Sequence, residues 1–110
     1  VELRRSGGPW TLYQEADSAP DAENRWMGSS AMNGNGECAL DYSVSSTTTF
    51  PGIRYVGRTS GNSLGTLPLQ KQICINGLAS QTFIDRWGGY SSMNVDPVDD
   101  LTFWYQRIHR

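Results

Sequence analysis

Two arginine–tryptophan pairs are the side chains best suited to hold a ligand. Arg25–Trp26 and Arg86–Trp87 lie 61 positions apart, since 86 − 25 = 61. A guanidinium can bind a carboxylate through two parallel hydrogen bonds. An equally simple role is structural, with each arginine stacked on its tryptophan or paired with a nearby carboxylate. Because a unique site needs no second copy, the repetition favours the structural role.

Three carboxylates in one loop could bind a cation. Asp96, Asp99 and Asp100 would need backbone carbonyls and waters to complete the six to eight oxygens that Ca²⁺ takes. Their spacing is not the Asp-x-Asp-x-Asp-Gly of a calcium loop. Aspartate also favours turns through bonds to its own backbone. The sequence therefore predicts no cofactor, with Ca²⁺ at these three residues as the weaker alternative.

Aromatic side chains could form a platform for sugars. Tyr90 and Trp104 are the candidates on the second copy of the repeat. Trp104 and Tyr105 are neighbours in a predicted strand, so their side chains point to opposite faces. One is expected in the core and the other on an open face or an interface. The candidate ligand-binding set is Arg25, Trp26, Arg86, Trp87, Tyr90 and Trp104.

Support for catalysis is thin. His109 is the single histidine and lies in a charged tail, where we expect it to be solvated. No Gly-x-Ser-x-Gly elbow occurs. Cys38 and Cys74 are predicted to be separate buried thiols, with a bridge between adjoining strands as the alternative. No catalytic residue is predicted.

Composition limits the class of protein. The 110 residues carry a net charge of −2, are 37% hydrophobic and are 18% charged. This charge gives no electrostatic support for nucleic-acid binding. No apolar run approaches the ~20 residues that cross a bilayer. With no initiator methionine or signal-peptide pattern, the chain is expected to be a mature segment or a piece of a longer protein.

The turn signals and alternating apolar residues predict an all-β fold of eight short strands without a helix. Asn33-Gly34-Asn35-Gly36 is the clearest turn, because asparagine and glycine accept positive φ at low cost. The predicted strands cover residues 2–5, 10–14, 29–32, 37–44, 53–58, 69–75, 90–95 and 101–106.

A repeat organises these strands. Arg, Trp, Gly, Ser and Met recur at the same relative positions in residues 25–32 and 86–93, an offset of 61. Residues 38–42 match 101–105 at an offset of 63, with the two extra residues assigned to a longer second loop. Four-stranded antiparallel units at a fixed period are typical of β-propeller blades. The alternative is a small β-sandwich containing a duplicated hairpin.

The phase of the repeat divides the chain into an outer half blade (1–24), a full blade (25–85) and an inner half blade (86–110). A propeller ring typically has 4–8 blades. We therefore expect either a piece of a longer propeller or several copies closing a ring, in which the first strands of one copy complete the last sheet of another. Three copies would make six blades.

The repeated motifs resemble the C-terminal propeller region of large secreted bacterial proteins, many of them uncharacterised and loosely grouped with sialidase-like propellers. Gly89 and Leu101 depart from the residues usual there. The resemblance implies an extracellular, repeat-built β domain and no known reaction. It is carried by residues 25–29, 42–43, 51–55, 86–88, 90–93, 95–100 and 102–105.

These observations predict an extracellular structural or carbohydrate-binding module that forms part of a larger propeller. Its expected partners are a glycan and neighbouring blades or further copies of itself, with neither nucleic acid nor membrane. One alternative is a fragment of a sialidase-like glycoside hydrolase, whose arginines would hold a carboxylate. The other is an oligomeric lectin that closes a ring from several copies.

Overall fold

The structure is a computed structural model that describes residues 1–107, apart from the side chain of Gln70. His109 lies outside the described residues. The described chain is all-β and contains no helix, as predicted. No helix among residues 1–107 is therefore long and apolar enough to cross a membrane. The strands are β1 (Glu2–Arg4), β2 (Thr11–Gln14), β3 (Asn24–Met32), β4 (Cys38–Ser45), β5 (Gly52–Arg58), β6 (Leu69–Ile75), β7 (Ser91–Val95) and β8 (Phe103–Arg107).

The strands form three antiparallel sheets. β1 pairs with β2, the next four strands form one sheet in the order β3-β4-β5-β6, and β7 pairs with β8. Within each sheet, neighbouring strands are consecutive in sequence and antiparallel, as expected for strands joined by turns or loops. The all-β, antiparallel character of the prediction is thus confirmed.

The pairing of β1 with β2 repeats the pairing of β5 with β6 in the central sheet. Between Glu2 and Leu3 the partner moves from Gln14 to Leu12, which leaves out one residue of β2. The same shift occurs in β5–β6, where Ile53 pairs with Ile75 and Arg54 with Ile73. The offsets 75 − 14 and 73 − 12 are both 61. β2 and β6 are therefore related by the same period as the arginine–tryptophan motif.

The backbone of that motif also repeats. Met27 and Gly88 are 61 positions apart, and both have positive φ, 51° and 65°. In the first copy this conformation lies at a register shift of β3, between Trp26 and Ser29. β3 therefore begins earlier than predicted, at Asn24, and includes Arg25 and Trp26. In the second copy Arg86 and Trp87 precede the strand, since β7 begins at Ser91.

The repeat does not extend to the second strand of each hairpin. Met32 pairs with Cys38, whereas the equivalent Met93 pairs with Tyr105, so the structural offset is 105 − 38 = 67. The match of 38–42 with 101–105 at an offset of 63 is therefore wrong as a structural equivalence. The reason is that β7 continues to Val95 before the chain turns, which lengthens the second hairpin.

The hydrophobic core lies on one face of the central sheet. Tyr42, Val44 and Val56 are buried there, with Leu40 and Leu67 packed against them. Asp21, Glu23 and Lys71 form ion pairs beside this core. The Lys71 ammonium lies 2.6 Å from Asp21 Oδ2 and 3.0 Å from Glu23 Oε2.

The two cysteines are not bridged. Cys38 is half-buried and Cys74 is exposed, each as a free thiol. The prediction of separate thiols is confirmed, but the prediction of burial is wrong for Cys74. It lies on β6, an edge strand of the central sheet.

Candidate functional site

The two copies of the arginine–tryptophan motif meet between the central sheet and β7–β8. The Trp26 and Trp87 rings contact edge to face, with their centroids 6.0 Å apart and their planes at 67°. Trp26 Nε1–H also donates to the Trp87 carbonyl at 3.0 Å. This geometry is favourable for aromatic pairs. Equivalent residues of successive units therefore contact each other directly.

Two hydrogen bonds extend this contact along β3 and β7. The Met93 N–H donates to Ser29 Oγ at 2.9 Å, and Ser91 Oγ donates to the Met27 carbonyl at 3.2 Å. The two hairpins thus lie side by side, first strand against first strand.

The two hairpin turns are also bonded to each other. The Gly34 N–H donates to the Asp100 carbonyl at 2.7 Å, and Asn33 Nδ2 donates to the Leu101 carbonyl at 3.1 Å. Asn33 is buried and its Oδ1 accepts from the N–H groups of Asn35 and Glu37, each at 3.0 Å. One side chain therefore both shapes the first turn and attaches it to the second.

Next to the Trp87 ring lies a group of side chains whose polar atoms are buried, which we call the inter-sheet cluster: Asp41, which is fully buried, and Tyr105 and Arg107, which are half-buried. The Arg107 guanidinium stacks on the Trp87 ring, 3.7 Å from its centroid. Gly88 provides the room, since a Cβ there would lie 1.2 Å from Arg107 Nη2. Positive φ and this close approach both favour glycine at position 88.

Asp41 is the most unusual member of the cluster. It is 1% exposed, and neither of its carboxylate oxygens has a well-formed hydrogen bond within the described part of the chain. Burial raises the pKa of Asp41 to about 6, while the Ser29 N–H and the Arg107 charge oppose this shift. Burial also lowers the pKa of Arg107. The cluster therefore contains opposite charges that are largely removed from water.

Arg25 has a structural environment. Its guanidinium forms an ion pair with Asp21, donates to the Glu23 carbonyl at 2.8 Å and lies over the Tyr42 ring at 5.5 Å. The Lys71 ammonium and the Arg25 guanidinium hold the pKa of Asp21 well below its usual range. The Arg25 guanidinium is thus already bound by groups of the segment before β3 and by the Tyr42 ring of the central sheet.

Arg86 has a different environment from Arg25. It is exposed, and its backbone carbonyl accepts from Gln81 Nε2 at 2.7 Å. The two arginines therefore do not form equivalent sites, although their tryptophans meet. The repeat positions the rings and leaves the guanidinium groups in different surroundings.

Two of the three aspartates of the second loop, Asp96 and Asp99, stabilise its turn through their side chains, and Asp100 does so through its backbone N–H, which donates to the Asp96 carbonyl at 2.9 Å. Asp96 Oδ1 accepts from the Val98 N–H at 2.8 Å, and Asp99 Oδ1 accepts from the Leu101 and Thr102 N–H groups at 2.8 and 2.9 Å. These are turn bonds typical of aspartate. Within residues 1–107, no group of three or more histidine, cysteine, aspartate or glutamate side chains is placed to hold a metal ion.

Trp104 and Tyr90 lie on an open surface. Trp104 is 60% exposed and Tyr90 is 79% exposed. Trp104 Nε1–H donates to Asp96 Oδ2 at 2.9 Å, which fixes the orientation of the indole. Because side chains alternate along a strand, Ser92, Asn94 and Gln106 share this face of β7–β8. We call it the open face. Tyr105, on the opposite face, is half-buried, so the expected division between these two neighbours is confirmed.

Asp41 and Arg107 were not singled out from the sequence. Asp41 lies within an otherwise apolar run from Cys38 to Tyr42, and a lone charge in a strand of this kind was an available signal. Arg107 gave no comparable signal, because it lies in the charged C-terminal segment.

Comparison with known proteins yields no relative. No family model matches the chain, and no curated protein or solved structure matches it either.

Proposed function

We propose that the chain is an extracellular, propeller-type segment made of one full blade flanked by two half blades. The observation that carries the proposal is the shared shift in register of β1–β2 and β5–β6, in which β6 follows β2 by 61 residues and β5 follows β1 by 51, since 53 − 2 = 51. This shared shift supports the assignment of β1–β2 as the outer half of a four-stranded unit. The contact of Trp26 with Trp87 at the same period supports stacking of successive units.

A double-mutant cycle on Trp26 and Trp87 tests this packing. Each alanine substitution removes one ring of the edge-to-face pair, so we expect the free energies of unfolding to be non-additive, with a coupling of about 0.5–1.5 kcal/mol. Denaturant unfolding at one protein concentration measures it. Trp26→Ala combined with Trp10→Ala is the control, because Trp10 is exposed on the loop before β2. Additive effects of Trp26→Ala and Trp87→Ala would contradict the proposal.

As an alternative we propose carbohydrate binding at the open face of an unassembled chain, because in a closed ring the next unit would cover this face as β7–β8 covers β3. It is supported by the exposed Trp104 ring, whose indole is oriented by Asp96, and by the polar groups beside it. Asn94 Nδ2 donates to Ser92 Oγ at 2.9 Å on this face. An oriented ring can stack on the apolar face of a sugar while the amide and hydroxyl groups bond its hydroxyls.

A glycan array followed by titration with any bound glycan tests this function. We expect Trp104→Ala to weaken binding by up to about tenfold, since a lost aromatic contact is worth up to about 1.4 kcal/mol. Trp10→Ala, which removes an exposed tryptophan elsewhere, is the matched control and should bind as the parent does. Equal loss in both variants, or no glycan bound, would exclude the open face as a sugar site.

A fragment of a sialidase-like hydrolase is the enzymatic alternative. It would require Arg25 or Arg86 to hold a carboxylate, and Arg25 already pairs with Asp21. The same glycan experiment separates the two functions when the products are analysed. Cleavage of a sialoside that is lost in Arg86→Ala would favour the enzyme, and binding without cleavage favours the module.

A further inference from the structure

The chain exposes more surface than a compact monomer of its size. Its accessible surface is 7911 Å², whereas a compact monomer of this mass exposes about 6,100 Å². Its radius of gyration is 15.5 Å, compared with about 13 Å for a compact domain of this length. A stable interface covers about 800 Å² on each partner. The excess is therefore large enough for interfaces with partners.

The outer edge of β8 is one unpaired surface. Within the described residues β8 pairs only with β7. The Asp96 N–H donates to the Thr102 carbonyl at 2.7 Å, so the carbonyl of Thr102 faces β7. By alternation, the peptide groups of Phe103 and Tyr105 face the open edge. In the central sheet, the corresponding edge of β4 is occupied by β5.

A groove lies beside this edge, over the outer strands of the central sheet. It has a volume of about 370 Å³, and Tyr55, Gly57, Leu69 and Phe103 are among the residues that line it. Tyr55 is the single exposed residue of β5, whose other six residues are buried. On this face of the central sheet, the β7–β8 hairpin therefore covers the inner strands, β3 and β4, and leaves the outer strands, β5 and β6, open.

The β1–β2 hairpin carries the complementary surface. Leu3 and Leu12 are cross-strand partners and are 53% and 55% exposed. On the opposite face, Gln14 reaches Arg58 of the central sheet. The two leucines thus point away from their own central sheet. A second copy that added β1 and β2 beyond β8 would direct them into the groove at Tyr55.

Charge supports the same arrangement. In the central sheet the first residue of β4, Cys38, pairs with the last residue of β5, Arg58. The equivalent antiparallel pairing would place the end of β1, followed by the exposed Arg5, near the start of β8. The exposed Asp99 and Asp100 precede that start. Opposite charges would therefore meet at this end of the composite sheet.

We propose that β8 of one copy pairs antiparallel with β1 of a second copy, which builds the four-stranded order β7-β8-β1-β2 and links copies into a closed ring. This inference rests on the proposed propeller architecture and names its partner as the chain itself. The described residues of each copy contribute eight strands, which would make two four-stranded sheets per copy in the ring. A ring of typically 4–8 blades then needs two to four copies, and three copies make six blades.

Native mass spectrometry of the full chain at micromolar concentration tests the proposal. We expect one discrete oligomer of two to four copies. Arg5→Glu and Asp100→Lys should each raise its dissociation constant about tenfold by placing like charges together, and the double variant should recover most of the loss. Arg86→Glu makes the same charge change at an exposed arginine away from β1 and should leave association unchanged.

Hydrogen exchange shows whether the edge itself is used. The Phe103 and Tyr105 amides should exchange slowly in the oligomer and faster on dilution. A folded chain that stays monomeric at all concentrations would overturn the proposal. If Trp26 and Trp87 remained coupled in that monomer, the propeller segment would stand, with further blades of a longer polypeptide as the occupant. An oligomer whose Phe103 and Tyr105 amides exchange rapidly would also overturn edge pairing.

Discussion

At the scale of single residues, Asp41 shows the strongest conflict between burial and charge. Ionised carboxylates are costly to bury without hydrogen bonds, and the neighbouring Arg107 only partly offsets this cost, since the pKa of Asp41 remains raised to about 6. The group therefore favours the protonated state more in the folded chain than in the unfolded chain, where its pKa is 3.8. Its ionisation at neutral pH opposes folding.

The sign of this effect gives a pH dependence. As the pH falls from 7.5 through 6 towards 4.5, Asp41 takes up its proton in the folded state first, so we expect the free energy of unfolding to rise by about 2 kcal/mol. Below about pH 4 stability should fall again, because the lowered pKa values of Asp21, Glu23 and Glu2 mean that protonation removes their stabilising contacts.

Asp41→Asn isolates the contribution of this carboxylate. The variant keeps the shape but cannot ionise, so it should be more stable than the parent at pH 7.5 and lose the rise between pH 7.5 and 4.5. Denaturant unfolding across this range measures both. A rise of the same size in the variant would assign the pH dependence to another group.

At the scale of strands and turns, local sequence predicted the elements well and their pairing less well. The Asn33–Gly36 turn was predicted because its residues accept positive φ, and Gly36 has φ 74°. The bond from Asn33 Nδ2 to the Leu101 carbonyl joins residues 68 positions apart, so local pattern could not indicate it.

The start of β3 illustrates the same limit. Met27 adopts φ 51°, which a non-glycine residue rarely does, and a register shift there allows the strand to continue through Trp26. Only the glycine at the equivalent position 88 suggests this conformation in the sequence. The prediction therefore began the strand five residues late, at 29 instead of 24.

The candidate site was predicted in part. The arginine–tryptophan repeat singled out Trp26 and Trp87 as ligand-binding candidates, but it did not predict that their rings contact each other. It could not identify Asp41 and Arg107, which come from the second strands of the two hairpins. Their proximity depends on how the sheets stack and on the altered register of β8.

At the scale of the whole molecule, the proposed propeller-type repeat would relate the three sheets to one another. Under that proposal the sheets of two, four and two strands correspond to an outer half blade, a full blade and an inner half blade. The sheet edges and grooves left open by the half blades are where copies or further blades are proposed to dock. Sequence periodicity could indicate this phase, whereas the occupant depends on association, which a single chain does not specify.

The most direct test of stacked, successive units is a nuclear Overhauser experiment on the chain in solution. We predict cross-peaks between the Met93 amide proton and the Ser29 side chain, and between the Trp26 indole N–H and the backbone at Trp87 and Gly88. Cross-peaks within β3–β4, such as those between Ser30 and Leu40, provide the internal control. If these were present while the Ser29–Met93 and Trp26–Trp87 cross-peaks were both absent, the two units would not be stacked and the propeller-type arrangement would be contradicted.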